Sequence, residues 1–167
     1  MRILSRTTAK AILVAGLSMF LFVPKVLGQV KPVNLEELTR NSEVIAVGKV
    51  TGIKGEWDQN KTRIVTRVTV GVSEYLKGNA GAVMTITSPG GEVDGVGEWY
   101  SHTARFQKDE DVVVFAEKDK KGNLRIARGE QGKLNIKKDA QTSIERVSTQ
   151  TTLDDFKTQV KHALSVR

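Results

Sequence analysis

From Thr62 to Leu76 the chain alternates in hydropathy at every second position over a long span. Ile64, Thr66, Val68, Val70 and Val72 fall on one side of this segment, and Arg63, Arg67, Thr69 and Ser73 on the other. Side chains of a strand point alternately to opposite faces, so the pattern predicts one long strand with a single buried face. Such a strand leaves its backbone groups unpaired unless the rest of the chain supplies neighbours.

The neighbours are legible. Glu43 to Ile53 is rich in valine and isoleucine, with apolar residues on both faces around Val44–Val47. Val83 to Ser88 predicts a further strand, closed by Pro89-Gly90-Gly91. Asp111 to Glu117 holds the continuous apolar run Val112-Val113-Val114-Phe115, which suits a strand covered on both sides. Leu124/Ile126 and Leu134/Ile136 predict two short strands on either side of Gly129-Glu130-Gln131-Gly132. Turn chemistry falls at Gly55–Asn60, Lys77-Gly78-Asn79 and Asp119–Asn123. Gly90 to Tyr100 reads as a glycine-rich connection, and Lys137 to Val147 as a polar loop.

Two helices frame the strands. Asn34 is placed to cap a short one from Leu35 to Arg40, with Glu36 and Glu37 in its first turn where the dipole favours negative charge. Residues 152–165 predict the other, capped by Thr152, with Leu153, Phe156, Val160, Ala163 and Leu164 as a stripe for packing on the sheet. The expected fold is therefore mainly β: an antiparallel barrel of six or seven strands with a short N-terminal helix and a C-terminal helix. Closure is favoured because it removes exposed strand edges.

Residues 1–28 carry a different message. Arg2, Arg6 and Lys10 precede an apolar run from Ala11 to Val23, and Val26-Leu27-Gly28 offers residues suited to signal peptidase. This order predicts a secretory signal peptide, leaving a single domain over 29–167 in the periplasm or medium. The run is shorter than the roughly 18 residues of a bilayer-spanning helix, which favours a cleaved signal over the alternative of an uncleaved anchor, and no membrane span is expected after cleavage. The formal charge of +7 falls to +3 once the four bases of that segment are set aside. A domain with so small an excess has no nucleic-acid footprint. The chain has no cysteine, which excludes thiol nucleophiles, redox motifs, cysteine zinc sites and a lipid-anchored cysteine. Asn60-Lys61-Thr62 has the form of a glycosylation sequon.

Chemistry-bearing motifs are sparse. His102 and His162 are the two histidines. His102 is the weak catalytic candidate, with Glu92, Asp94 or Glu98 to orient it and Ser101 beside it, but no nucleophile elbow accompanies them. His162 lies off the apolar face of the last helix and is expected in solvent. No metal motif occurs; the oxygen ligands of Glu117–Gly122 are interleaved with lysines and read as a hairpin tip. Gly90–Gly97 matches neither phosphate-binding fingerprint, and its acids would oppose phosphate. No cofactor is expected. The aromatic residues suggest more: Trp57 in a turn, and Trp99 and Tyr100 directly after the glycine-rich segment with its Glu92 and Asp94. Loop tryptophans stack on sugars or anchor protein partners.

Four segments together resemble a pattern of secreted bacterial single-domain proteins. They are Ser42–Val50, Thr66–Val70 with Leu76-Lys77-Gly78, the Gly90-Gly91 loop, and Val113-Val114-Phe115. The first two also resemble, more distantly, the oligonucleotide/oligosaccharide-binding (OB) barrel of netrin-like modules and tissue inhibitors of metalloproteinases. The resemblance covers roughly residues 34–136 and implies an OB-like barrel. Those inhibitors reach a protease zinc through an N-terminal cysteine held by disulfides. This chain has neither, so the implication stops at the fold.

These observations lead to one expectation and two rivals. The expectation is a secreted, non-catalytic module that recognises a protein or polysaccharide through Trp57, Trp99, Tyr100, Glu92 and Asp94. The rivals are a secreted hydrolase using His102 and a structural envelope protein with no discrete site.

Overall fold

The computed structural model describes residues 34–147 and 151–166; the signal peptide expected at 1–28 lies outside them. The described chain is mainly β, with two helices. Helix α1 spans Leu35–Asn41 and α2 spans Leu153–Ser165. Both caps form as the sequence predicts: Asn34 accepts from the Glu36 N–H, and the Thr152 side chain from that of Asp155. The strands are β1 (Val44–Trp57), β2 (Ile64–Lys77), β3 (Val83–Pro89), β4 (Gly91–Val93), β5 (Val96–Glu98), β6 (Asp111–Lys118), β7 (Leu124–Ile126), β8 (Lys133–Lys138) and β9 (Glu145–Val147). A seven-stranded sheet runs in the order β1-β2-β3-β7-β6-β8-β9, with β1 also paired to β6, and β4 and β5 form a separate ribbon. All ladders are antiparallel except β3 with β7.

The apolar residues divide into two cores, with β1 and β6 as the wall between them. Ile45, Val47, Val113 and Phe115 join Leu38, Phe156 and Val160 in a helix-side core. Val44, Ala46, Val50, Val112 and Val114 join Val68, Val70, Met84 and Ile86 in a strand-side core. Adjacent residues of one strand thus serve opposite cores, and β6 is buried continuously from Val112 to Ala116. That is the physical reason for its unbroken apolar run. The stripe of α2 packs as expected, with Phe156 edge-on to Phe115 at 6.2 Å between ring centroids.

Three β-bulges shape the long hairpin. Register shifts leave Thr51 of β1 and Ser73 and Leu76 of β2 without opposite partners. Each extra residue reverses the parity of the strand. The alternation of β2 therefore holds from Ile64 to Val72 and then changes phase: Tyr75 packs on the strand-side core and Leu76 in the helix-side core. In β1 the bulge at Thr51 follows Val50 of the strand-side core. Ile53, Gly55 and Trp57 beyond it lie on that same face, opposite Val68, Thr66 and Ile64.

Three segments differ from their expected form. Gly55–Asn60 is not all turn: β1 continues to Trp57, which pairs with Ile64. The turn begins at Asp58, whose N–H donates to the Arg63 carbonyl at 2.8 Å. Lys137–Val147 is not all loop, because Lys138 still belongs to β8 and pairs with Glu145 of β9. Gly90–Tyr100 contains the ordered ribbon β4–β5. Its turn is Asp94-Gly95, with φ of 50° and 79°, between paired Val93 and Val96. Asp-Gly supplies the two positive φ angles of a tight type I′ hairpin.

Candidate functional site

The bulge at Thr51 aims Ile53 and Gly55 toward the end of the strand-side core, where Thr66 and Val68 of β2 face them. The β4–β5 ribbon crosses over this end. A Cβ on Gly55 would collide with the Glu92 carbonyl oxygen, so the crossing needs glycine there. Two further bonds hold the ribbon: the Thr66 hydroxyl donates to the Gly90 carbonyl at 2.7 Å, and the Gly90 N–H donates to the Ile64 carbonyl at 2.9 Å.

Beneath and beside the ribbon is a cleft of about 480 Å³. Its walls include Ile53, Thr66 and Val68 on one side and Trp99, Tyr100 and Phe106 on the other. Phe106 packs against the strand-side core and forms the apolar floor. Trp99 is 71% exposed and Tyr100 42%. The Arg105 guanidinium lies 5.6 Å from the Trp99 ring centroid, a cation–π distance. Glu98 accepts the Ile64 N–H at 2.9 Å and the Tyr100 hydroxyl at 3.4 Å. One carboxylate thus joins the edge of β2 to the cleft rim.

The segment from Thr103 to Glu110 has no regular structure, yet one side chain fixes it. Lys133 of β8 donates to the Arg105 carbonyl at 2.7 Å, forms an ion pair with Glu110 at 2.7 Å, and lies 5.0 Å from the Phe106 ring centroid. Both partners are nearly covered, at 9% and 15% side-chain exposure. Glu110 in turn accepts the Gln107 N–H at 2.8 Å. Phe106 and Arg105 are therefore held by a nearly covered polar cluster that no motif announces. The sequence signal is slight: Ala104 and Phe106 are apolar residues isolated in a polar stretch.

The expected site residues separate in space. Trp99, Tyr100 and Glu92 line the cleft together with Glu98. Asp94 sits at the tip of the ribbon and does not line it, and Trp57 lies beyond Gly55 on the same strand face, 39% exposed. His102 is elsewhere. Its ring meets Glu130 at 3.5 Å, not Glu92, Asp94 or Glu98, and both side chains are more than half exposed. Its backbone has a φ of 59°, and its carbonyl accepts the Glu130 N–H at 3.0 Å. His102 thus forms a turn against the 3-10 segment Gly129–Gly132. His162 is exposed on α2, as its position on the helix predicts.

Among the described residues no group of three or more metal-ligating side chains converges, and no helix is long and apolar enough to cross a membrane. Fold and site together define a mainly β domain with an open, aromatic-rimmed cleft. No protein-family model matches the chain, and no curated protein matches its sequence.

Proposed function

We propose that this chain is a non-catalytic recognition module, exported to the periplasm or medium, that holds a protein or polysaccharide ligand in the Trp99–Tyr100 cleft. The observation that carries the reading is the exposure of Trp99 and Tyr100 on a braced rim, with Phe106 as apolar floor. Covering an exposed indole takes apolar ring surface out of water, and a ring already held beside Arg105 costs little entropy when a ligand stacks on it. Glu92, Glu98 and Arg105 add charged groups that would orient a bound hydroxyl, amide or side chain.

The scaffold in this reading is an OB-like barrel. Supporting it, the pairings run from β1 through β2, β3, β7 and β6 and return to β1. The OB architecture serves oligosaccharide recognition elsewhere, which is consistent with the proposed ligand class. The hydrolase alternative has less support, because the proposed base sits outside the cleft in an exposed turn.

The test compares the purified chain with a Trp99→Ala/Tyr100→Ala variant, both checked by circular dichroism, against envelope polysaccharide and envelope protein fractions. Binding to either fraction that falls at least tenfold in the folded variant supports the cleft. Equal binding by both chains, or none by either, overturns it.

A further inference from the structure

Trp57 is the exposed tryptophan that the cleft does not use, and it ends a strand with one open side. On the side away from β2, β6 covers β1 only from Val44 to Lys49, and the Val50 backbone bonds Asp109 and Glu110. Among the described residues, no strand pairs with Gly52–Trp57 on that side. The direction of its amides follows from the hairpin end. Asp58 N–H donates to Arg63 across the hairpin. Opposite residues of an antiparallel pair alternate between bonded and unbonded, so Trp57, Gly55 and Ile53 turn their N–H and C=O groups outward. Ile64 agrees: opposite Trp57, it bonds Glu98 and Gly90 on the far side of β2.

We infer that this edge of β1 pairs with the same edge of a second copy of the chain, antiparallel about a two-fold axis through Gly55. In that register Gly55 meets Gly55 of the second copy, and Ile53 meets Trp57. Every outward N–H and C=O of the three residues then finds a partner. The unbonded positions between them place Lys54 opposite Glu56, twice, where Glu56, already paired with Arg67 of its own chain, has a second oxygen to offer. Shifting the axis to residue 54 sets Lys54 against Lys54, and shifting it to residue 56 sets Glu56 against Glu56. Like charges directly opposite are unfavourable, so charge selects the Gly55 register. The contact is isologous and closed, and it covers part of Trp57, 39% exposed, and of Ile53, 41% exposed where the cleft wall meets this edge. It also removes the hazard of an open strand edge.

A pairing this short buries less than the roughly 1,200 Å² of a stable interface, so the dimer is expected to be concentration-dependent. Sedimentation velocity on the purified chain from micromolar to millimolar concentration measures it. Lys54→Glu and Glu56→Lys, each checked for folding, should weaken self-association about tenfold, since each turns two attractive cross-strand pairs into repulsive ones; Lys54→Glu is the cleaner of the two, because Glu56→Lys also removes the Arg67 pair within its own chain. Mixing the two variants restores opposite charges at both positions and should restore association. A second measurement is independent of charge. The chain has no cysteine, so Lys54→Cys and Glu56→Cys chains should form a disulfide when mixed and oxidised, and far less when kept separate. A chain that stays monomeric, a dimer indifferent to both charge reversals, or no preference for the mixed disulfide would each overturn the inference.

Discussion

Gly55 and Gly95 show two different reasons for glycine, and substitution separates them. At Gly55 the obstacle is the Glu92 carbonyl of the crossing ribbon. Gly55→Ala should cost about 2–3 kcal/mol as an overpacking change and should displace β4–β5. At Gly95 nothing lies near the added Cβ, but φ is +79°. Gly95→Ala should cost about 1 kcal/mol from backbone strain and leave the ribbon in place. Urea denaturation, read together with Trp99 fluorescence in a Trp57→Phe background, distinguishes them. The Lys133–Glu110 pair makes a third case. Glu110→Ala leaves a covered ammonium without its carboxylate and should cost about 3 kcal/mol, whereas Glu110→Leu/Lys133→Met should recover most of the loss. Ligand affinity should fall most in the double variant, because there the Lys133 bond to the Arg105 carbonyl and its contact with the Phe106 ring are lost as well. Thermal melts and binding measured in parallel would check this.

Hairpin loops repeat one device. Asp58, Asp119 and Asp139 each open the connection between two strands and accept backbone N–H groups further along it. The Thr62 amide lowers the carboxyl pKa of Asp58, the Asn123 side chain that of Asp119, and the Thr142 amide that of Asp139. A carboxylate whose pKa is lower folded than unfolded adds stability above its unfolded value, about 3.9, and loses it as pH falls through the folded value. The melting temperature should therefore drop as pH is lowered below about 4, and the triple Asp→Ala variant should drop less steeply. These loops also mark how far sequence reasoning reaches. Gly122 and Asn123 made one hairpin plain. The Asp94-Gly95 signal was equally available between Val93 and Val96, but the surrounding glycines disguise it as a connection. Strand β9 is short and contains the charged pair Glu145-Arg146, so neither alternation nor apolar content reveals it. Bulges are a property of two strands in register, which explains why the phase change of β2 after Val72 is invisible in its own sequence.

The two cores set the behaviour of the molecule as a whole. Because β1 and β6 belong to both, neither core can open without exposing the wall of the other. Unfolding should be a single transition, with calorimetric and van't Hoff enthalpies in agreement. Phe115→Ala removes the central ring of the helix-side core and should cost about 3–5 kcal/mol. It should shift the transition without splitting it, and a second transition would show that the cores are separable. At this scale the mainly β class, the helix packing and the buried run of β6 were legible, since each rests on periodicity and burial. The cleft was legible only in its rim. Trp99 and Tyr100 stand out as aromatic residues, while Arg105 and Phe106 are brought to it by Lys133 from a distant strand, with Glu110 behind them as its ion-pair partner.

The shared wall also imposes an order of events on a chain made from its N-terminus. Strand β1 is complete early, but β6 follows only after the second strand, the third and the crossing ribbon. Until then the outer flank of Val44–Lys49 has no partner, and Ile45 and Val47 lack the covering helix α2. Contacts so distant in sequence form slowly. A nascent or truncated chain ending before Asp111 would present a bare valine-rich edge, and the interval before β6 arrives is when this protein is most exposed to misassembly.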